Sequence, residues 1–280
     1  MELNETIKRF GVDGEQIKLP GGSVETFRVQ NVVFKPIEET SLENNHSLAL
    51  AGWIAEFSST LPQNGFRIPK GVPTIDGKWI TEDCWTGWTF VEGAHATKED
   101  IPQCIEAINA FHKTLKDISK NPLMDDNRTA WGKANEMCLG DKPESVNPLL
   151  QPYIDKLYEL RKPVETENQL IHGDLNPENI LIAPNLPPAF IDFSPFWGPP
   201  ELALAIFANF IGPRKRDASV LDHFKDQPNF DQMLIRAAIR MLLVIDMLDK
   251  NRDYELKGWD DYPEKEATEI VINFAEKQPS

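Results

Sequence analysis

Apolar and polar positions alternate in short runs along the first third of the chain and then settle into a helical rhythm. Gln16-Ile17-Lys18, Thr26-Phe27-Arg28-Val29 and Val32-Val33-Phe34-Lys35 are brief extended stretches, the first two separated by Leu19-Pro20-Gly21-Gly22-Ser23. Two further strands are predicted over Ile68–Pro73 and Trp79–Val91, joined by the turn Ile75-Asp76-Gly77-Lys78. Ser47–Phe57 (SLALAGWIAEF) breaks the strand pattern with apolar residues at helical spacing. Thr97-Lys98-Glu99-Asp100 then offers an N-cap and first-turn acids for a helix over Ile101–Ile118. Residues 198–280 read as mostly helical, with apolar helices over Glu201–Phe210 and Met233–Lys250, the latter capped from Asn229 and Gln232. Arg236, Arg240 and Asp246 interrupt that last helix, which makes it a core helix and not a membrane span. The sum is an α+β chain, long enough at 280 residues for two lobes with a shared cleft or for one large domain.

One stretch carries most of the chemistry: residues 171–193, IHGDLNPENILIAPNLPPAFIDF. Gln169–Leu175 begins extended, and Asn176-Pro177 breaks it because proline disfavours helix in the residue before it. Ile180-Leu181-Ile182 is a short buried strand, Pro184–Pro188 a turn, and Ala189-Phe190-Ile191 a return strand ending at Asp192. Such a hairpin brings its ends together, so Asn179 and Asp192 can converge on one cation with Asp174 on the adjacent loop. Magnesium prefers oxygen ligands and keeps several waters, so two protein ligands plus phosphate oxygens suffice. One carboxylate to orient an acceptor hydroxyl, with an amide oxygen and a carboxylate for the metal, is the inventory of phosphoryl transfer.

The order HGD-x-x-x-x-N, hydrophobic strand, Asp resembles the motif of the aminoglycoside phosphotransferase and choline kinase superfamily, whose members share the protein-kinase-like fold. The resemblance implies two lobes: a small antiparallel-sheet lobe over 1–91 that binds nucleotide, and a larger, mainly helical lobe over 92–280 for catalysis and acceptor binding. It implies Asp174 as catalytic base, Asn179 and Asp192 as metal ligands, and His172 as a support for the loop. Lys35 resembles the strand lysine that pairs with the α- and β-phosphates, and Glu56 is the best-placed acid to partner it. Gly21, Gly22 and Ser23 would let backbone amides approach the phosphates. Backbone groups of Phe90, Val91 and Glu92 would meet the purine at the hinge. The implied cofactors are ATP, with GTP left open, and Mg2+.

Departures narrow the reading. A protein kinase would carry arginine at the position of Gly173 and a longer segment after Asp192, whereas here a helix is expected almost at once. A small-molecule acceptor is therefore expected over a protein. The run Gly198-Pro199-Pro200-Glu201-Leu202-Ala203 lacks both acids of the Gly-Asp-Pro-x-x-Asp run common in aminoglycoside phosphotransferases, so the acceptor class stays open within amino alcohols, sugars and aminoglycosides. A degenerate nucleotide-binding relative, a protein kinase and a nucleotidyl transferase are the other readings. A formal charge of −15 argues against nucleic acid as the main partner. The basic loop Gly212–Arg216 reads as solvated, and His46, His95, His112 and His223 as packing or surface histidines. With no legible signal peptide and three scattered cysteines, the expected setting is the cytoplasm, away from membranes, and the expected state a monomer.

Overall fold

The computed structural model describes residues 3–20, 24–37, 45–125, 129–250, 256 and 259–278. The amphipathic N-terminal helix α1 (Leu3–Arg9) turns Ile7 inward, where it meets Phe10, Val29 and Phe34 in a small core. Strands β1 (Ile17–Lys18), β2 (Phe27–Val29), β3 (Val32–Pro36), β4 (Gly71–Val72) and β5 (Trp85–Thr89) form an antiparallel sheet in the order β1-β2-β3-β5-β4. Because strand side chains alternate, Phe34 enters the core while Lys35, paired in register with Thr86, stands on the opposite face. Helix α2 (Asn45–Thr60) lies on β4 so closely that a Cβ at Gly71 would sit 2.1 Å from the Ala55 carbonyl oxygen. Only glycine fits there, and its N–H donates to Ser58 Oγ at 3.1 Å.

The chain forms two compact units, and the first is not continuous in sequence: Met1–Ala94 and Asn121–Leu123 are joined by Leu181–Phe193. After β6 (Ala94–His95), helices α3 (Ile101–Leu115), α4 (Ala130–Met137) and α5 (Gln151–Leu160) lead to strands β7 (Gln169–His172), β8 (Ile180–Ile182) and β9 (Ala189–Phe190). The hairpin of β8 and β9 is the expected one. Arg67 meets it on both sides, its N–H donating to Pro188 O and its carbonyl accepting from the Phe190 N–H, each at 2.8 Å.

The second unit, His95–Lys120, Met124–Ile180 and Ser194–Ser280, is mainly helical. It is completed by β10 (Pro195–Gly198), α6 (Pro200–Ile211), α7 (Phe230–Lys250) and α8 (Pro263–Glu276). Helix α7 is its axis, buried almost all round from Met233 to Ile245 and packed by α4, α6 and α8. Its charges survive burial because each is hydrogen-bonded. Arg236 donates to the carbonyls of Gln232 (2.8 Å) and Lys162 (2.9 Å), and Asp246 accepts the Asn147 N–H at 2.6 Å.

Three expectations change on the structure. The strand expected over Trp79–Val91 shrinks to Trp85–Thr89, because Cys84 adopts a left-handed φ of 63° and Thr81 turns the chain by pairing with Trp85. The segment after Asp192 does not pass directly into helix: β10 first folds back on β7, Pro195 opposite His172 through Gly198 opposite Gln169. The basic loop at Gly212–Arg216 is not merely solvated, since Arg214 pairs with buried Glu264 and Arg216 with Glu266, both on α8.

Candidate active site

In the second unit, the candidate residues lie where β7 ends. All four β7 residues are buried, so the strand delivers His172, Gly173 and Asp174 from the core to the surface of the unit. His172 Nδ1 accepts the Asp174 N–H at 3.2 Å, which makes the histidine a support for the turn. Gly173 is crowded: a Cβ there would come 2.9 Å from Phe196 Cβ and 3.1 Å from Asn135 Nδ2. Its N–H donates to Ser194 O at 2.7 Å, tying the loop to the start of β10.

Asn176 then ends the extended run as the sequence demands. Its Oδ1 accepts the N–H groups of Glu178 (2.9 Å) and Asn179 (3.2 Å), capping the single turn Pro177–Asn179. That turn brings Asn179 back onto Asp174, where Nδ2 donates to the Asp174 carbonyl at 2.9 Å and to Oδ2 at 3.3 Å. With its N–H2 end so engaged, the amide presents its oxygen, the atom a hard cation uses. The Asp174 carboxylate is about one-third exposed, and Arg240 Nη2 lies 3.7 Å from its other oxygen.

In the first unit, Lys35 Nζ donates to Asp192 Oδ1 at 2.6 Å. Asp192 takes a left-handed φ of 52° just past β9. The neighbouring Phe193 ring stacks on Phe57 of α2 at 6.1 Å, and Phe57 in turn on Trp53 at 5.1 Å. Glu56, on the same helix, is exposed, and Lys35 pairs with Asp192 and not with it. Gly21, Gly22 and Ser23 lie outside the described residues.

Phe90, Val91 and Glu92 follow β5 directly. The Phe90 N–H is committed to Asn31 O at 2.9 Å, and the Arg28 guanidinium lies 3.6 Å over the Phe90 ring. The Glu92 carbonyl accepts from Arg67 Nη2 at 3.2 Å, while Arg67 Nε donates to Pro187 O at 2.7 Å. Arg67 therefore braces this segment against the turn between β8 and β9. Desolvation lowers the pKa of Arg67 and Glu92 partly opposes it.

Sequence reasoning missed the braces, Arg67 and Arg240. The second left a signal, a cation in the middle of an apolar helix, whose target could not be read from spacing.

The model of the phosphotransferase enzyme family matches residues 31–261, which include Lys35, Asp174, Asn179 and Asp192. The chain belongs to the phosphotransferase enzyme family. Comparison with curated protein sequences returns no match. Among solved structures, this phosphotransferase is similar to spectinomycin phosphotransferase APH(9)-Ia in complex with ADP and spectinomycin, at 14% identity and a TM-score of 0.59, covering 99% of this chain and 97% of that one. The choline kinase LicA from Streptococcus pneumoniae aligns at 13% identity and a TM-score of 0.61, over 97% and 98% of the two chains. The amicoumacin kinase hAmiN, in complex with AMP-PNP, Ca2+ and its ligand, aligns at 14% identity and a TM-score of 0.62, over 100% and 95%. These likenesses establish the kinase-like α+β fold of the phosphotransferase. Among its described residues no helix is long and apolar enough to cross a membrane.

Proposed function

We propose that this phosphotransferase moves the γ-phosphate of ATP, in a magnesium-dependent reaction, to a hydroxyl of a small molecule. The observation that carries the reading is the Asp174–Asn179 pair. A partly exposed carboxylate is held by a hydrogen-bonded loop, beside an amide whose Nδ2 is engaged by the Asp174 carbonyl and carboxylate and whose oxygen is left for a cation.

In this reading Asp174 accepts the proton of the acceptor hydroxyl as the hydroxyl oxygen attacks the γ-phosphorus and the bond from that phosphorus to the β,γ-bridging oxygen breaks, ADP leaving with that oxygen. Asn179 and Asp192 are the metal ligands, an oxygen donor set suited to Mg2+. When bound, the metal would neutralise charge on the phosphate oxygens. Lys35 adds a cation for the α- and β-phosphates, with Gly21, Gly22 and Ser23 as their backbone cradle and Glu56 as a second partner for the lysine. Both members of the Lys35–Asp192 pair are more than one-third exposed. Such a pair is worth about 0–1 kcal/mol, so exchanging it for metal and phosphate costs little. The purine meets the backbone of Phe90, Val91 and Glu92, the segment that Arg67 braces.

The reading takes a small acceptor, supported by the short link Ser194–Pro199, which pairs with β7 and leads straight into α6. A monomer in a reducing cytoplasm completes the proposal, in keeping with three free cysteines.

The deciding experiment is calorimetric titration of ATP and of GTP, with and without magnesium, into wild type and Asp192→Asn, followed by an acceptor screen read by product mass. Magnesium-dependent binding that the substitution abolishes, and products heavier by one phosphate, are expected. Absence of nucleotide binding to wild type, or products heavier by a nucleotide, overturns the proposal.

A further inference from the structure

Arg240 is the largest fully buried side chain among the described residues, 1% exposed in the middle of α7. A guanidinium loses several kcal/mol of hydration on burial, so its placement calls for specific partners. Nε donates to Asn135 Oδ1 on α4 at 2.5 Å, and Nη2 donates to the Gly173 carbonyl at 2.8 Å. The Nη2 nitrogen also lies 3.7 Å from Asp174 Oδ1, and the Trp131 ring of α4 covers the guanidinium at 4.9 Å.

The Gly173 carbonyl belongs to the same peptide unit as the Asp174 N–H. That unit is planar and rigid. Arg240 holds its oxygen, and His172 Nδ1 holds its hydrogen. Beyond it, the two carboxylate oxygens of Asp174 are flanked separately, one by Arg240 and the other by the Asn179 amide. Rotation of the peptide plane and of the carboxylate are therefore restrained from the same guanidinium.

We propose that Arg240 is a positioning residue, fixing the peptide plane and carboxylate of Asp174 for transfer, a role that rests on Asp174 being the base. Gly173 is part of the device. Its missing side chain lets Asn135 approach beneath the loop, where a Cβ would stand 3.1 Å from Asn135 Nδ2, and Asn135 in turn orients the guanidinium. Charge supports the arrangement from both directions: burial lowers the Arg240 pKa, and the Asp174 carboxylate acts to raise it again. Misplacement of a reacting group by about 1 Å can cost about 10²-fold in rate, so a restraint of this kind has kinetic value.

The test uses the full chain with Arg240→Lys, Arg240→Met and Asn135→Ala, reading the Kd of Mg·ATP and of Mg·GTP, the melting temperature, and nucleotide hydrolysis with water as acceptor. Arg240→Met is expected to bind nucleotide within about twofold of wild type while losing at least about tenfold in turnover. Arg240→Lys, which keeps the charge, recovers part of that loss. Turnover unchanged in both variants overturns the role, and so does a parallel fall of nucleotide binding and turnover, which marks a purely structural residue. If neither Arg240 variant folds, Asn135→Ala decides, since it frees Nε and leaves the charge: reduced turnover with intact binding is expected, and full turnover overturns the role. A wild-type protein that hydrolyses neither nucleotide overturns the phosphotransfer reading and this role together, whereas an active wild type with indifferent variants overturns the role alone.

Discussion

His112 makes the stability of the second unit depend on pH in a calculable way. It is 4% exposed in α3, and its Nε2 has no hydrogen-bond partner. Burial first, and the nearby His172 second, lower its pKa from 6.5 to about 3, against an opposing hydrogen bond to the Ile108 backbone. The folded chain thus keeps His112 neutral, while the unfolded chain protonates it normally. Above the unfolded value the stability is intact. As pH falls through about 6.5 the unfolded state takes up a proton that the folded state refuses, and stability drops until the folded value is reached near 3. At about pH 4.5, some two units down that slope, the loss is about 2–3 kcal/mol at about 1.4 kcal/mol per unit. His112→Leu removes the titration and keeps an apolar group of comparable size. Urea unfolding of wild type and variant at about pH 7.5 and about pH 4.5 gives the comparison, with contributions of other titrating groups cancelling in the difference. The wild type should lose about 2–3 kcal/mol more than the variant between the two conditions. Equal losses in both proteins would refute the reasoning.

Asp174→Asn should lower phosphate transfer by about 10²–10⁴-fold while nucleotide affinity measured by calorimetry is retained, and comparable turnover would remove Asp174 from the role of base. Gly71→Ala places a methyl group 2.1 Å from the Ala55 carbonyl oxygen and 2.6 Å from its carbon, both backbone atoms of α2. Displacing that helix should cost about 1–3 kcal/mol or more in denaturant unfolding, and a variant as stable as wild type would show that α2 can move freely.

Legibility in the sequence followed the range of the interactions. The turn at Asn176-Pro177, the strand Ile180–Ile182 and the lysine at the end of Val32–Lys35 are set by neighbours a few residues apart, and each was readable. Period alone located the helices begun at Ile101 and Met233, because a long apolar stripe repeats several times within them. Trp79–Val91 misled because its apolar residues outweighed Asp83-Cys84, where one left-handed residue ends the strand. Residues 119–168 gave no reading. Ala130–Met137 and Gln151–Leu160 are short, carry only a few buried residues each, and owe their stability to packing on α7. β10 escaped because Pro195-Phe196-Trp197-Gly198 becomes a strand only through β7, more than twenty residues away. Arg67 and Arg240 reach partners 120 and 67 residues distant, and no local pattern specifies such a target.

The discontinuity of the first unit has a consequence for the order of events during synthesis. Arg67 emerges from the ribosome 120 residues before Pro187, the residue its side chain holds. At about 5–20 residues per second that interval is about 6–24 s. Through it the strands within residues 17–89 have no β8–β9 hairpin to join, and the Arg67 backbone lacks its hydrogen bonds to Pro188 and Phe190. The nascent chain must therefore carry an unfinished first unit while residues of the second unit are still being made. Completion of the first unit waits on Leu181–Phe193, so the part of the chain begun first is closed only after much of the second unit has been translated.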